Sequence, residues 1–181
     1  MPRLFDTDLR TKEMVIGVNR VLAAHGIPGL TMRLIARESG ISTGSLMHHF
    51  GSRERILRIS GAQTGRALLA TAERDAPWLG VEAFLPGDAE TLWWTRAWLA
   101  WCELGRTKDP VGDVIAVLRS RETEALARVH EVLPADPALD LVVAVLDGLR
   151  AAVCALEAPM SLDRGRELLR EAVAATFERA S

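Results

Sequence analysis

Apolar residues in this chain recur at steps of three and four, and nowhere do they alternate with polar residues between paired turn signals, so the pattern is helical throughout. Met14, Val18, Val21 and Leu22 fall at i, i+4, i+7 and i+8 and define a first helix of about Asp8 to His25, with Gly26 suited to the position just past its end. Ile27-Pro28-Gly29 reads as a turn. Thr31 can cap a helix running to about Ser39, Gly40 breaks it, and Ser42 can cap another that ends near His49. Gly51-Ser52 then opens a long helix from Arg53 and Glu54 to about Arg74, before Pro77 and the loop through Pro86, Gly87 and Asp88. Proline removes an amide donor and crowds the preceding turn, so breaks are expected at Lys108-Asp109-Pro110, Pro134 to Pro137, and Pro159-Met160-Ser161. They delimit four more helices, about 89–106, 111–132, 138–157 and 162–179. The expected fold is all-α with eight helices.

A chain of 181 residues is long enough for one domain, or for a small domain fused to a larger one. Its 49% hydrophobic and 25% charged residues exclude a disordered chain, a collagen and a mucin-like stalk. Cys102 and Cys154 are too few for a disulfide framework, and no charged-then-apolar leader is visible, so a cytoplasmic setting is expected. No membrane partner is expected either, because the longest apolar stretch, Leu141 to Leu156, carries Asp147 and Arg150 and is shorter than a spanning helix. Net charge is only −2, but residues 1–60 hold nine Lys/Arg against five Asp/Glu, so the first third is the candidate polyanion-binding part.

Within that third, residues 29–57 read GLTMRLIARESGISTGSLMHHFGSRERIL, two short helices joined by a tight Gly40-Ile41 turn, the layout of a helix-turn-helix. Ile35, Ala36 and Leu46 can face the Met14, Val18 and Leu22 stripe, with Phe50 closing the core. Thr43, Ser45, Met47 and His48 are then available to a major groove, and Gly44 permits close approach. The caps Thr31 and Ser42 leave helix N-terminal amides able to point at phosphates. Two other readings of this segment stay open: a helical hairpin that only packs the core, and a protein-interaction module that keeps the shape without binding DNA.

Thr31, Ile35-Ala36, Gly40-Ile41-Ser42, Gly44-Ser45-Leu46, His49-Phe50 and Ser52-Arg53-Glu54 closely resemble the DNA-binding domain of TetR/AcrR bacterial regulators over about residues 8–60. The resemblance implies a homodimer binding a palindromic duplex operator, with a DNA-binding domain at 1–60 and a ligand-binding and dimerisation domain at 61–181. It implies a small-molecule effector of unknown identity and a repressor, with no cofactor, metal or catalytic residue. Carried over by position, it makes Thr31 a phosphate-contacting cap, sets Arg33 near the backbone or a base edge, places Thr43, Gly44, Ser45, Met47 and His48 on the recognition helix, and gives His49 and Arg53 backbone contacts. The family usually has tyrosine where this chain has Met47, whose thioether cannot donate to a phosphate.

Residues 90–105, ETLWWTRAWLAWCELG, hold four of the five tryptophans in a chain without tyrosine. On a helix Trp94, Trp98 and Trp101 fall within roughly 60° of one another, with Cys102 flanking them and Glu90 on the same side. The face can be plain core, or it can line an effector pocket in which a cation meets aromatic rings and a carboxylate. The run WLAWCELGRTKDP, with Leu146-Asp147-Gly148-Leu149 further on, resembles the C-terminal domains of the choline-responsive, Bet-type branch of TetR regulators. The helix from Ala138 to Glu157 is apolar round most of its circumference, its charges Asp140, Asp147, Arg150 and Glu157 keeping to one stripe. With Leu168, Leu169, Ala172, Val173 and Phe177 of the last helix it is expected to form a four-helix bundle with a two-fold mate, the alternative being cover from the fourth to sixth helices of the same chain. An enzyme in a helical domain is the remaining rival, yet His25, His48, His49 and His130 show no triad or metal-ligand spacing.

Overall fold

The computed structural model describes residues 4–107 and 111–178. It contains α1 (Leu4–His25), α2 (Met32–Ser39), α3 (Thr43–Phe50), α4 (Arg53–Leu79), α5 (Ala89–Arg106), α6 (Gly112–Val129), α7 (Pro137–Cys154) and α8 (Leu162–Glu178). Short 3-10 turns occupy Ile27–Gly29 and Gly80–Phe84, and there is no strand among the described residues. Among the described residues the all-α, eight-helix expectation holds, while the expected break at Lys108-Asp109-Pro110 lies outside them. No described helix is long and apolar enough to cross a membrane.

Three helix ends differ from the sequence reading, each for a local reason. α4 runs through Pro77 to Leu79; the proline cannot donate to the Glu73 carbonyl, but both residues are exposed, so water can reach that oxygen. α6 stops at Val129, where Glu131 turns left-handed (φ 54°) and the Val132 amide reaches back 3.0 Å to the Ala127 carbonyl, a capping pattern that glycine usually supplies. α7 ends at Cys154, and the Met160 amide closes the following loop onto the Ala152 carbonyl at 3.1 Å.

The chain gathers into two compact units, one comprising the described residues up to Arg66 with Arg96–Ala116, the other Ala67–Thr95 with the described residues from Val117 onward. In the first, the α1 stripe of Met14, Val18, Val21 and Leu22 is buried, as are Ile35, Leu46, Phe50, Ile56, Leu57 and Trp101. Each such side chain contributes about 1.5–3 kcal/mol by leaving water. α1 meets α2 at Gly17, where a Cβ would lie 2.6 Å from Ser39 Cβ and 2.7 Å from its backbone, so only glycine fits. Asn19 is fully buried in this unit. Its Nδ2 donates to Thr64 Oγ1 at 2.7 Å and its Oδ1 accepts from Trp101 Nε1 at 2.9 Å, tying α1 to α4 and α5.

The second unit packs Phe84, Leu85, Leu126, Leu139, Val142, Leu146 and Leu169 into one core. α7 lies against α8, and Gly165 allows the approach, since a Cβ there would stand 2.9 Å from Val153 Cγ1. The α7 charges separate. Arg150 is buried, donating to the Phe84 carbonyl from Nε and Nη2 and to Glu122 Oε1 at 2.6 Å, while Arg119 bonds both Glu122 and Asp147. Burial alone would raise the Glu122 carboxyl, but Arg150 and Arg119 outweigh it and hold the group below its usual range, ionised. The polar stripe of α7 thus pairs with α6. Asp140 stays exposed and Glu157 lies beyond the helix end.

Candidate nucleic-acid interface

α3 begins where Ser42 Oγ accepts the Ser45 amide at 3.1 Å, and ends at Gly51, whose φ of 83° a residue with a Cβ adopts only under strain. α2 is capped likewise, Thr31 Oγ1 accepting the Leu34 amide at 3.2 Å, and it stops at left-handed Gly40 (φ 70°). The turn is closed by Ser39, whose Oγ accepts the Ile41 amide at 3.3 Å. Ile41 is itself buried, so the turn that sets α3 against α2 is pinned from inside.

The two sides of α3 divide cleanly. Leu46 and Phe50, one turn apart, are buried, whereas Thr43, Gly44, Met47, His48 and His49 are exposed. Met47, an apolar side chain 41% exposed, stands on the open side. Nothing lies within 4 Å of where a Gly44 Cβ would be, so the space beside it is clear for an approaching surface. Of the carried-over residues, Thr31, Arg33 and Ser42 are exposed and Arg53 is half-buried. Arg53 Nη2 donates to the Leu30 carbonyl at 3.2 Å, fixing α4 to the start of α2.

Ser45 is half-buried rather than open. Arg10 of α1 donates to its Oγ at 3.2 Å and stands 2.8 Å from His49 Nε2. A guanidinium only donates, so Nε2 is the lone-pair nitrogen in this contact. Sequence reasoning missed Arg10, which lies 35 and 39 residues from these partners. The available signal was weak: Arg10 is four residues before Met14, at the edge of the α1 stripe.

The aromatic stretch of α5 is divided between the two units. The helix is capped reciprocally: Asp88 Oδ1 accepts the Thr91 amide at 2.8 Å while Thr91 Oγ1 accepts the Gly87 amide at 2.8 Å. The Thr91 amide holds the Asp88 carboxyl below its usual range, as expected of an acid at a helix start. Glu90 and Trp94 then line a cavity of about 120 Å³ with Ala67, Leu68, Thr71 and Thr91. Trp93 meets Trp94 edge-on, the ring centres 4.7 Å apart. Trp98 and Trp101 are not in this lining; both are buried in the other unit, where Trp101 packs over Gly61 and bonds Asn19, and Cys102 is half-buried. Of the five residues expected at an effector pocket, the structure brings together Glu90 and Trp94.

Residues 19–58 match the family described as bacterial regulatory proteins, tetR family. The HTH-type transcriptional regulator BetI of Agrobacterium fabrum is 28% identical over 94% of this chain and 89% of its own length. The HTH-type transcriptional repressor AcnR of Corynebacterium diphtheriae is 26% identical over 96% of this chain and 97% of its own. A TetR-family regulator structure from Rhodococcus sp. superposes with a TM-score of 0.78 over 92% of this chain and 98% of that one at 18% identity. A transcriptional regulator from Saccharomonospora viridis, solved in complex with choline, gives a TM-score of 0.75 at 19% identity over 89% of this chain and 93% of that one. The matched segment spans Asn19 to Arg58, from the α1 stripe through the capped α2–α3 pair to the first turns of α4, and full-length relatives extend the likeness over nearly the whole chain. Residues 19–58 are thus a TetR-family helix-turn-helix, and nearly the whole chain is similar to helix-turn-helix transcriptional regulators of that kind.

Proposed function

We propose that the protein is a homodimeric, ligand-responsive repressor of the cytoplasm, with residues 1–60 reading a palindromic operator and residues 61–181 holding the effector and the dimer contact. The observation that carries the operator reading is the division of α3, in which Leu46 and Phe50 anchor the helix and leave Thr43, Gly44, Met47 and His48 facing outward. In a major groove these side chains would meet base edges, Met47 packing on a thymine methyl. Thr31, Arg33, Ser42, His49 and Arg53 would position the helix on phosphates. Ser45 contributes through Arg10, which holds it and His49 together.

A two-fold partner is supported by α7. Leu141, 53% exposed, shares with Ala144, Gly148 and Ala151 an uncharged outer stripe at steps of three and four. Paired with its own copy, that face makes the self-complementary contact of a two-fold dimer. Bound recognition helices would then lie about 34–36 Å apart.

The effector reading rests on Glu90 and Trp94 sharing one small cavity. A carboxylate beside an aromatic face suits a small cation, and quaternary ammonium groups use such contacts. The choline-bound relative from Saccharomonospora viridis makes choline the first compound to try. Effector binding regulates by favouring a conformer of different operator affinity.

Selection from random duplex DNA at two salt concentrations tests the operator reading. A palindromic site whose affinity falls as salt rises is the expected result, through counterion release. Binding that ignores sequence, or none by the folded dimer, would instead make the helix-turn-helix a protein-interaction module. Choline added to the selected complex tests the effector, with Glu90→Gln and Trp94→Ala expected to cancel its effect on operator binding.

A further inference from the structure

A second cavity lies in the unit that carries the helix-turn-helix. Arg55, Arg58, Gln63 and Arg66 of α4 line an open space of about 630 Å³, facing Val114 of α6. These residues recur along one side of α4, and Arg58 and Arg66 stand about 12 Å apart along its axis. Among the described residues none of the three guanidinium groups makes an ion pair or side-chain hydrogen bond. Elsewhere Arg119, Arg128 and Arg150 are all engaged by carboxylates. Glu54 also lines the cavity, but its carboxyl is turned to the first turn of α4, held below its usual range by its own backbone amide and by Ser52. The lining is therefore net positive, three arginines against one carboxylate.

We propose that this cavity is a second ligand site, for a small anion carrying several phosphate or carboxylate groups. Its volume falls in the range of about 300–1,000 Å³ common for small-molecule sites. The arginines of the cavity start beside Arg53, at Arg55, and run on to Arg66, about 20 Å along the helix from Arg53 and beyond the duplex-facing end of α4. Arginine suits such groups because its planar fork of donors can bind oxygen pairs two at a time. The site differs from the Glu90–Trp94 cavity in both location and charge preference, and it does not depend on the effector reading.

The test is a calorimetric titration of the DNA-free protein with tripolyphosphate and, separately, citrate, which distinguishes phosphate from carboxylate recognition. Saturable binding of at least one is expected, weakened by about tenfold or more per arginine in Arg58→Ala and Arg66→Ala and further in the double variant. Both side chains are exposed, so helicity by circular dichroism should match the parent. The double variant Arg74→Ala/Arg164→Ala removes the same charge from another part of the surface and should bind as the parent does. No saturable binding of either anion would overturn the proposal. So would an equal loss in the charge-matched control, or binding kept in Arg58→Ala/Arg66→Ala but lost in Arg53→Ala.

Discussion

Replacing Trp101 by phenylalanine keeps an aromatic ring in the core and removes one donor, and the cost can be worked from the structure. Trp101 Nε1 donates to Asn19 Oδ1 at 2.9 Å, and both residues are fully buried. Without the indole, Oδ1 keeps one neighbouring hydroxyl, Thr64 Oγ1 at 3.1 Å, but that group already lies 2.8 Å from the Ser60 carbonyl and has one proton to give. A buried acceptor left without a donor costs about 1–3 kcal/mol. The smaller ring also leaves a void where the indole packed 3.3 Å from the Gly61 Cβ position, adding about 1 kcal/mol. The sum, about 2–4 kcal/mol, corresponds to a fall in Tm of about 4–16 °C for a chain of this size.

Denaturant unfolding followed by far-ultraviolet circular dichroism measures that loss, and a cycle with Asn19→Leu separates its two parts. Leucine removes the acceptor, so Trp101→Phe in that background should cost only the void. The double variant is then less destabilised than the sum of the singles by about 1–3 kcal/mol. Additivity within about 0.5 kcal/mol would refute the claim that the indole hydrogen bond, rather than ring volume, makes Trp101 irreplaceable.

Gly17→Ala should destabilise by about 1–3 kcal/mol in the same assay, because its Cβ would press on the Cβ and backbone of Ser39 and no side-chain end can swing away. Burial pushes the His130 imidazole below its usual range, and its ring stacks on Phe177. The unfolded chain thus gains a proton near pH about 6.5 that the folded chain gains only lower. Stability should fall as pH drops from about 6.5 through the folded value and then level, and His130→Phe should flatten that part of the profile. Met47→Tyr adds a hydroxyl on the exposed side of α3 able to donate to a phosphate, worth about 1 kcal/mol or about fivefold in operator affinity per half-site. Unchanged affinity in a binding titration would show that position 47 faces no backbone oxygen.

The helix-turn-helix was legible because everything that shapes it lies within about fifty contiguous residues. The stripe of Met14, Val18, Val21 and Leu22, the caps Thr31 and Ser42, and the breaker Gly40 all act over one or two helical turns, and each does in the structure what its residue type dictates. Pro77 misled because the carbonyl it leaves without an amide belongs to exposed Glu73, where water can replace the lost bond. The aromatic face of α5 left two readings open, core and pocket. Periodicity puts Glu90, Trp94, Trp98 and Trp101 on one side, but the neighbours of that side differ along the helix. The same side opens on a cavity at Glu90 and Trp94 and is buried at Trp98 and Trp101.

What stayed hidden is a set of polar pairs that span the sequence: Arg10 with Ser45 and His49, Asn19 with Trp101, and Arg150 with Glu122. Taken singly, an arginine in a polar segment reads as solvated and an asparagine in an apolar stripe as an imperfection. The physical rule that a buried polar group must find a partner turns the second case into information. Asn19 sits one residue after Val18 and two before Val21, on a face that helical geometry buries. A donor or acceptor from another helix was therefore required, although periodicity could not name Trp101. The same logic applies to Arg150, held by Glu122 and the Phe84 carbonyl, but not to Arg10, which is only half-buried and could be solvated without a partner. Sequence can thus indicate that a buried polar contact must exist before it identifies the residue that completes it, whereas a surface contact that positions the recognition helix leaves no such trace.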